Sequence, residues 1–514
     1  MVIMINNAKT YQNCTGVNPK IKKVYTAKNE DEIQLALAVC REHKTPLYVH
    51  STGNNWGYGA KSPIQEDSCI LSLSEMNKIS NFDLERGLVH LQPGVTYGQL
   101  SEFLRESGNR WIAPVHGGGP DCSVMGNLLE RGFGITPIED HFSALQSMRA
   151  ILPNGKIYES SFRSLGMENL CQNFQWGIGP YMDGLFTQSN FGIVTDICIR
   201  LAPKRDFREV WIVKVKPEAK WENILKCLRK IQQDHGHSIG GINIMNKERM
   251  NSMFSDYPRD KKSESSALSK EEVQDFASSM GFNQWTIVLS IQATALTGKA
   301  IRKQLKRDLK SIQAGTKKIN NFSLAALNFI SKIVPKLGKF DFKKFASSSK
   351  GLLDIIDGIP NHTALKLAYW MNETPFQDSK QLPDMDNCGL IWFSPILPLS
   401  DVIIEKFLEI CLETSAKYNI NPLITLTSFN SLSLECTFPI LFNKNTPGAA
   451  ENARNFYLEI FRKCREIHCV PYRLPIFAME EIKQSPLQGS FMLASNIKKQ
   501  LDPDNILSPG RYVF

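Results

Sequence analysis

The sequence lacks several features that would assign it to a common class of protein. Its 514 residues contain no apolar run of about 18 residues, so no helix long enough to span a membrane is expected. The first residues lack a basic start followed by an apolar block, and no signal peptide is expected. The 12 cysteines include no C-x-x-C pair, which predicts reduced core thiols rather than a disulfide framework or a zinc site. Together these absences favour a cytoplasmic location.

The charge is unevenly distributed along the chain. The net charge is +9, whereas residues 301–350 alone hold 13 Lys/Arg and 2 Asp/Glu, a local net charge of 13 − 2 = +11. This basic region mixes apolar with basic residues. It is either a solvated helical face followed by a loop or a docking surface for an anionic membrane or an acidic partner. No nucleic-acid-binding module accompanies the charge, so nucleic acid is not expected as a partner.

Helices and short strands alternate without a regular βαβ rhythm, which favours an α+β fold. Residues 30–44 have helical periodicity, and the apolar residues 46–51 that follow predict a strand. A second helix is predicted from Thr96 to Gly108. The Asn154-Gly155 pair predicts a hairpin turn.

The length predicts two domains, and the composition changes near Pro203. Long charged helices are predicted beyond it at 221–236 and 298–312. They alternate with apolar segments at 284–293 and 388–397, each predicted as one strand.

Three glycine-bearing segments lie within the first 140 residues: "STGNNWGYG" (51–59), "LQPGVTYG" (91–98) and "HGGGPDCSVMGNLLERGFG" (116–134). The first is neither G-x-G-x-x-G nor a P-loop. Glycine lets the backbone approach a ligand closely, and successive N–H groups can neutralise phosphate oxygens without lysine. Three such loops with almost no basic residues predict a large phosphate-containing cofactor held by backbone amides.

Seven segments, in the same order along the chain, resemble those of the vanillyl-alcohol oxidase and p-cresol methylhydroxylase family of flavoenzymes. They are "STGNNWGYGAKSP", "VHLQPGVTYGQL", "SVMGNLLERGFGITPIEDHF", "GPYMDGLFTQSNFGIVT", "WFSPI", "YRLPIFAM" and "LDPDNILSPGR". The resemblance implies an α+β, two-domain flavoprotein. A PCMH-type FAD-binding domain would comprise residues 1–205 and be completed by the tail 470–514, and a cap domain for the substrate would comprise 206–469.

The resemblance also implies which residues bind FAD. The first glycine loop would wrap the diphosphate, and the other segments would line the rest of the cofactor. The cofactor-binding residues expected on this basis are Ser51, Thr52, Gly53, Asn54, Asn55, Trp56, Gly57, Pro93, Gly94, Val95, Ser123, Met125, Gly126, Asn127, Gly132, Gly134, Gly192, Ile193, Val194 and Arg511.

Phenol-oxidising members of that family hold the phenolate oxygen of the substrate with two tyrosines and an arginine. The matching positions here are Tyr58, Tyr472 and Arg473, and all three residues are present. A phenol titrates near pH 10, and two hydroxyl donors beside a permanent cation stabilise its phenolate. An isolated Tyr-Arg pair would otherwise be interpreted as a structural ion pair with a buried tyrosine. The flanking matches favour the phenolate role.

Two features depart from the family pattern. The cap residue that links covalently to the flavin corresponds to Leu390, so FAD is expected to bind non-covalently at this position. Cys388 and Cys122 are alternative attachment points, although ordinary core thiols are the favoured interpretation. The aspartate near flavin N5 in one relative aligns with Gly118, and Asp121 or His116 is the candidate substitute. Two family histidines correspond to Glu435 and Cys436, which indicates an altered pocket.

The sequence thus predicts an FAD-linked oxidase or dehydrogenase of a para-substituted phenol. It would act by hydride transfer to flavin N5 through a quinone-methide-like intermediate. One alternative substrate is a hydroxy acid or another alcohol, because Arg473 could bind a carboxylate. A second alternative is a non-catalytic flavin-binding protein docked to a membrane or partner. Oxygen or an electron-carrier protein would accept the electrons, and a homodimer is an open expectation.

Overall fold

The computed structural model describes residues 4–7, 11–259, 266–337, 340–377, 381–483 and 486–513. Its strands are β1 (Met4–Asn7), β2 (Ile21–Thr26), β3 (Leu47–His50), β4 (Ser68–Ser72), β5 (Ile79–Asp83), β6 (Leu88–Leu91), β7 (Trp111–Ile112), β8 (Leu145–Ile151), β9 (Ile157–Glu159), β10 (Ile193–Arg200), β11 (Ala202–Pro203), β12 (Phe207–Val215), β13 (Ile239–Asn246), β14 (Trp285–Ala293), β15 (Gln313–Ile319), β16 (Lys336–Leu337), β17 (Phe340–Asp341), β18 (Cys388–Phe393), β19 (Pro395–Pro398), β20 (Thr425–Ser428), β21 (Ser433–Asn443) and β22 (Val470–Pro471).

The helices surround three principal sheets. They are α1 (Glu30–Glu42), α2 (Tyr97–Glu106), α3 (Val124–Leu129), α4 (Ser161–Ser164), α5 (Glu168–Asn173), α6 (Trp221–His235), α7 (Lys247–Phe254), α8 (Lys270–Met280), α9 (Ala295–Asp308), α10 (Asn321–Ile333), α11 (Phe342–Ile356), α12 (Asp401–Tyr418), α13 (Ala449–Glu466) and α14 (Gly489–Leu501).

The first sheet has the order β1-β2-β4-β3, in which β4 pairs in parallel with both β2 and β3. Helix α1 connects β2 to β3, and its apolar stripe packs on the sheet. Asn29 caps this helix by accepting a hydrogen bond from the Glu32 N–H. The predicted helix at 30–44 and the strand after it are confirmed. The glycine loop follows the carboxyl end of β3, where ligands of parallel sheets commonly bind.

The second sheet is antiparallel, with the order β5-β6-β10-β8-β9. Strands β8 and β9 form the hairpin that Asn154 and Gly155 predict, and Gly155 has the positive φ of +83° that this turn requires. Helix α2 begins after Thr96, whose side chain and Gln99 form a reciprocal capping box. The predicted helix from Thr96 is therefore confirmed, although it ends at Glu106 rather than Gly108.

The third sheet has nine strands, with the order β15-β12-β14-β13-β20-β21-β19-β22 and β18 paired to β21. Helices α6, α9, α12 and α13 bury one face of it. Alternation along the strands turns other side chains to the opposite face. On β20, for example, Leu426 lies in the core while Thr425 and Thr427 line a cavity.

Within the nine-stranded sheet and its helices, the predicted helices are observed and one predicted strand is divided. The helices expected at 221–236 and 298–312 are confirmed by α6 and α9. The segment 388–397 is two strands rather than one, because β18 and β19 pair with different parts of the long strand β21 and are separated at Ser394.

The first two sheets use residues 4–200, and the nine-stranded sheet uses 207–471. Ile506 and Leu507 return to the first sheet, where the Leu47 N–H donates to the Ile506 carbonyl. The division into domains at 1–205, 206–469 and 470–514 stays a prediction. The chain nevertheless returns its tail to the amino-terminal layers, as that division requires.

The basic region 301–350 forms part of α9, then β15, α10 and most of α11. Within the described ranges, no helix is both long and apolar enough to cross a membrane. All twelve cysteines are buried.

Candidate active site

A cavity of about 540 Å³ lies between the first two sheets and the nine-stranded sheet. It is on the face of the nine-stranded sheet opposite to the one that α6, α9, α12 and α13 cover. The glycine loop after β3, the start of α3 and the segment before β10 form one wall. Side chains of β13, β20 and β21 form the opposite wall. The cavity therefore joins the residues predicted to bind the cofactor to the residues predicted to bind the substrate.

Most of the predicted cofactor-binding residues line this cavity, and three do not. Gly57 lies against Trp392, while Gly94 and Val95 lie behind the wall. The residues that line it are Ser51, Thr52, Gly53, Asn54, Asn55, Trp56, Pro93, Ser123, Met125, Gly126, Asn127, Gly132, Gly134, Gly192, Ile193, Val194 and Arg511.

The local geometry of this wall fits a cofactor with a diphosphate. Gly53 has a φ of +73°, which favours glycine in the loop. A Cβ on Gly126 would lie 2.6 Å from Ser51 Oγ, so the loop and α3 approach closely. The Oδ1 atom of Asn190 and the Nε2 atom of His116 are buried at the cavity wall, and neither has a hydrogen-bond partner in the described part of the chain. Such unpaired polar atoms are costly unless a ligand pairs with them. The residues present therefore fit FAD.

The predicted phenolate trio converges at one end of the cavity. The Arg473 guanidinium carbon lies 4.4 Å from the centre of the Tyr58 ring, in cation–π contact. The Tyr58 hydroxyl is hydrogen-bonded to Ser394 Oγ at 3.0 Å. The Tyr472 N–H donates to the Ser394 carbonyl at 3.2 Å, so the break between β18 and β19 positions both tyrosines. We call this the phenol end of the cavity.

Two arginines, both mostly but not fully buried, share one carboxylate at the phenol end. Arg473 Nε lies 3.3 Å from Glu130 Oε2, and Arg511 pairs with the other oxygen of Glu130. Arg473 also donates to Asn55 Oδ1 at 2.6 Å, which ties it to the glycine loop. Two cations and one anion leave a net charge of +1 for this cluster. A bound phenolate would neutralise it.

Burial determines the protonation states of the two tyrosines. It raises the pKa of Tyr58 to about 12 and the pKa of Tyr472 well above its ordinary value. Burial alone would lower the pKa of Arg473. The neighbouring Glu130 carboxylate more than offsets this effect, so the pKa of Arg473 is raised. At neutral pH the site therefore presents two hydroxyl donors and one permanent cation.

A buried carboxyl group, Glu435 on β21, also lines the phenol end. Burial raises its pKa to about 8, although Arg473 and a hydrogen bond from Thr437 act in the opposite direction. The negative charge of Glu435 contributes to the raised pKa values of both Tyr58 and Tyr472. A group that titrates near neutral pH in such a position can exchange a proton with a substrate.

The two candidates for the acid/base group occupy different environments. Asp121 is exposed and does not line the cavity; its carbonyl accepts a hydrogen bond from Asn54. His116 lines the cavity and accepts a hydrogen bond from the Gly118 N–H through Nδ1, so its proton is on Nε2. Burial lowers the pKa of His116 to about 4 and keeps the imidazole neutral. His116 can therefore donate a hydrogen bond into the cavity.

The candidate attachment points also differ. Leu390 and Cys122 line the cavity, whereas Cys388 does not. Cys122 donates weakly to the Gly118 carbonyl, and burial raises its thiol pKa to about 12. A thiol with that pKa is a poor nucleophile at neutral pH.

Sequence reasoning did not assign roles to Glu130, Glu435 or Arg249, all of which line the cavity. Glu435 was considered only as a position where relatives have histidine. A polar residue that alternates with apolar ones in a predicted strand, as in "LECTF", is the signal that could have identified it.

The comparisons with known proteins agree with this geometry. The profile of the FAD binding domain family matches residues 21–161. The chain is 28% identical over 501 residues to 1'-carboxy-chondrochloren decarboxylase of Chondromyces crocatus, covering 96% of this chain and 91% of that protein. It is 25% identical over 489 residues to the 4-cresol dehydrogenase flavoprotein subunit of Pseudomonas putida, covering 95% and 86%.

A solved structure of p-cresol methylhydroxylase with substrate bound has the same fold. The TM-score is 0.83 at 22% identity, over 98% of this chain and 90% of that one. The predicted α+β flavoprotein fold is confirmed.

Proposed function

We propose that this chain, an FAD-dependent oxidoreductase with a PCMH-type FAD-binding domain, oxidises a para-substituted phenol bound as its phenolate. The observation that carries the proposal is the convergence of Tyr58, Tyr472 and Arg473 on one end of the cavity. The names of two relatives support it, because 4-cresol is a para-substituted phenol.

Substrate binding uses charge and hydrogen bonding together. The phenol oxygen lies between the hydroxyl groups of Tyr58 and Tyr472, beside the Arg473 guanidinium. Because the cluster of Arg473, Arg511 and Glu130 has one excess positive charge, it stabilises the phenolate over the neutral phenol. Phe133 packs edge-on against Tyr472 and stacks on Phe429, which makes this end of the cavity suitable for an aromatic ring.

FAD bound in the cavity would accept a hydride from the benzylic carbon of the phenolate. Loss of that hydride leaves the substrate as a neutral quinone methide. Water then adds to the benzylic carbon and restores the phenol, or the neighbouring carbon loses a proton and an alkene forms. The chain's own residues favour this course by keeping the oxygen ionised while the hydride leaves.

We propose that Glu435 is the group that accepts the proton of the substrate hydroxyl. Its carboxylate accepts that proton as the phenol binds, so Glu435 becomes neutral while the phenolate forms. A neutral Glu435 avoids two adjacent anions beside Arg473. Its pKa of about 8 makes the carboxylate available in the slightly alkaline range and keeps the proton afterwards.

We further propose that FAD is bound non-covalently at Leu390, because an aliphatic side chain cannot form the covalent link. Acid precipitation of the purified protein tests this point. A colourless pellet with flavin in the supernatant is expected, and a yellow pellet would contradict it.

Anaerobic reduction tests the proposed function. The purified flavoprotein is mixed without oxygen with 4-alkylphenols and, separately, with 2-hydroxy acids, while the long-wavelength flavin absorption is followed. Bleaching by the phenols alone is expected. Bleaching by the hydroxy acids alone would support the alternative substrate class, and no bleaching by any compound would support a non-catalytic flavoprotein. Admitting air, or adding an electron-carrier protein, then identifies the acceptor.

A further inference from the structure

Arg249 is a buried cation at the end of the cavity away from the phenol end. It lies in the first turn of α7, and its N–H donates to Oδ1 of the capping residue Asn246 at 3.0 Å. Arg249 lines the cavity and is only 9% exposed. Met245, Met253 and Val288 line the same part of the cavity, so the guanidinium has apolar neighbours.

The charge of Arg249 is not balanced by an acidic side chain. Its Nη1 donates to Ser252 Oγ at 3.0 Å, whereas its Nε is buried and has no hydrogen-bond partner among the residues that the structure describes. Within the described part of the chain, no carboxylate forms an ion pair with it. Burial lowers its pKa to about 10, so it still carries its charge at neutral pH. An unpaired buried charge is costly, and proteins retain one chiefly where a ligand pairs with it.

A row of polar side chains crosses the cavity from the phenol end to β13, the strand that precedes α7. Strand register aligns Asn243 on β13 with Thr427 on β20, and Thr427 with Glu435 on β21. All three line the cavity, and the Thr427 hydroxyl donates to Asn243 Oδ1 at 3.0 Å. Because neighbouring strands lie about 4.8 Å apart, this row spans about 10 Å. Helix α7 begins directly after β13 and carries Arg249 in its first turn, so Arg249 lies on the β13 side of the cavity, away from β21.

We infer that Arg249 binds a carboxylate on the para substituent of the substrate. This inference rests on the proposed function, and it narrows the substrate class to phenols that carry an acidic side chain. The guanidinium presents Nε and an adjacent N–H group as a fork that matches the two oxygens of a carboxylate. The phenolate would neutralise one end of the cavity and the carboxylate the other.

The test compares an acidic with a neutral phenol in the holoenzyme. Flavin reduction is measured anaerobically with 3-(4-hydroxyphenyl)propanoate and with 4-ethylphenol. The wild type is expected to prefer the acid. Arg249→Met should lower the ratio of kcat/KM for the acid to that for 4-ethylphenol by about tenfold to a hundredfold, mostly through KM. Arg249→Lys should restore part of that loss, because it keeps the charge but not the fork.

Lys247→Met is the matched control, because it removes a cation from the same helix at a position that does not line the cavity. An unchanged ratio in Arg249→Met, or equal use of both phenols by the wild type, would overturn the inference.

Binding of 3-phenylpropanoate, measured by calorimetry, separates this inference from the proposed function because the compound has no phenol group. Binding that Arg249→Met weakens by tenfold or so supports the carboxylate site even if no phenol is oxidised. Failure of 3-phenylpropanoate to bind, or binding that Arg249→Met leaves unchanged, would contradict it.

Helix α10 supplies a second, independent observation. Its outer face is apolar and exposed: Phe322 is 85% exposed, Phe329 66% and Ile333 66%. Ala325, Ala326 and Ile330 lie between them on the same face, with the spacing of an amphipathic helix. The opposite side packs on α11, whose residues Leu352 and Ile355 line the cavity.

We propose that this face of α10 docks the protein on an anionic lipid surface. Lys332 lies at the edge of the apolar face, Lys336 follows the helix, and Lys343 lies in the first turn of the neighbouring helix α11. Anionic headgroups complement that charge. A second copy of the chain would bring the same basic region against itself, because a two-fold interface is formed by identical patches, and like charges would oppose it.

Flotation with vesicles of phosphatidylcholine, with and without phosphatidylserine, tests this proposal. Binding to the vesicles with phosphatidylserine is expected, and Phe329→Ser should weaken it about tenfold. Leu412→Ser on α12, which removes another exposed apolar side chain, is the matched control. No binding to either vesicle, equal binding by Phe329→Ser, or a solution dimer that Phe329→Ser dissociates would overturn it.

Discussion

The two ends of the cavity carry similar net charge but reach it differently. At the phenol end, Arg473 shares Glu130 with Arg511, and one positive charge remains in excess. At the other end, Arg249 stands without an acidic partner among the described residues and has only Ser252 as a side-chain acceptor. The phenol end thus has a carboxylate beside its cations, whereas the Arg249 end has a cation alone among the described residues; Nε of Arg473 and Nε of Arg249 are each without a hydrogen-bond partner there. The comparison teaches that a cavity can select a substrate both through charged side chains that are already paired with each other and through a charged side chain that lacks a partner of opposite charge.

Arg473→Ala should have the largest effect. It removes the cation that stabilises the phenolate, so kcat/KM should fall by about two to three orders of magnitude, equivalent to about 3–4 kcal/mol. The loss should be the same for acidic and neutral phenols, because both share the phenol group. Flavin absorbance of the purified variant controls for cofactor loss. A fall in kcat/KM of less than about tenfold would mean that Arg473 does not stabilise the phenolate, and the proposed contrast between the two ends of the cavity would be wrong.

Tyr472→Phe should have the next largest effect. It removes one hydroxyl donor to the phenolate but retains the ring that packs against Phe133. A hydrogen bond to a charged group contributes about 1.5–3 kcal/mol, so kcat/KM should fall about tenfold to a hundredfold. Steady-state kinetics with 4-ethylphenol measures it, and Tyr58→Phe should behave similarly. Wild-type kinetics in both variants would argue that Arg473 acts alone.

Glu435→Gln should change the pH dependence of turnover. Burial raises the pKa of Glu435 to about 8, so the carboxylate that accepts the substrate proton forms as pH rises through that value. For the wild type, kcat/KM should therefore rise with pH up to about 8, and this rise should disappear in Glu435→Gln. A rise that persists in the variant would assign the proton to another group.

Thr427→Val should have the smallest effect. It preserves shape but removes the hydroxyl that donates to Asn243 in the row between the two ends. We expect a change of about two- to tenfold in the preference for the acidic phenol, as for one neutral hydrogen bond. The kcat/KM ratio of the paired substrates measures it. A change as large as that for Arg249→Met would mean that the row, rather than Arg249, binds the acid.

The sequence predicted those parts of the site that are contiguous along the chain. The glycine loop, the start of α3 and the Tyr472-Arg473 pair each lie in one short segment, and the resemblance covered them. Asp121 was suggested by proximity along the same loop, yet its side chain is exposed because the loop turns it away from the cavity.

Glu435 and Arg249 could not be assigned in the same way. The register of β13, β20 and β21 decides which of their residues face the cavity, and that register depends on pairing between distant parts of the chain. The break at Ser394 was missed for a related reason. It exists because β18 and β19 pair with different parts of β21, which the run of apolar residues does not reveal.

Binding of 4-hydroxybenzaldehyde tests the central claim most directly, because its phenolate absorbs at longer wavelength than its neutral form. The bound protonation state can therefore be read from the spectrum. The holoenzyme is titrated with it at a pH below the pKa of the free phenol. The account predicts that the bound compound has the phenolate spectrum and that Arg473→Ala abolishes this spectrum. A neutral-phenol spectrum for the compound bound to the wild type would contradict the account.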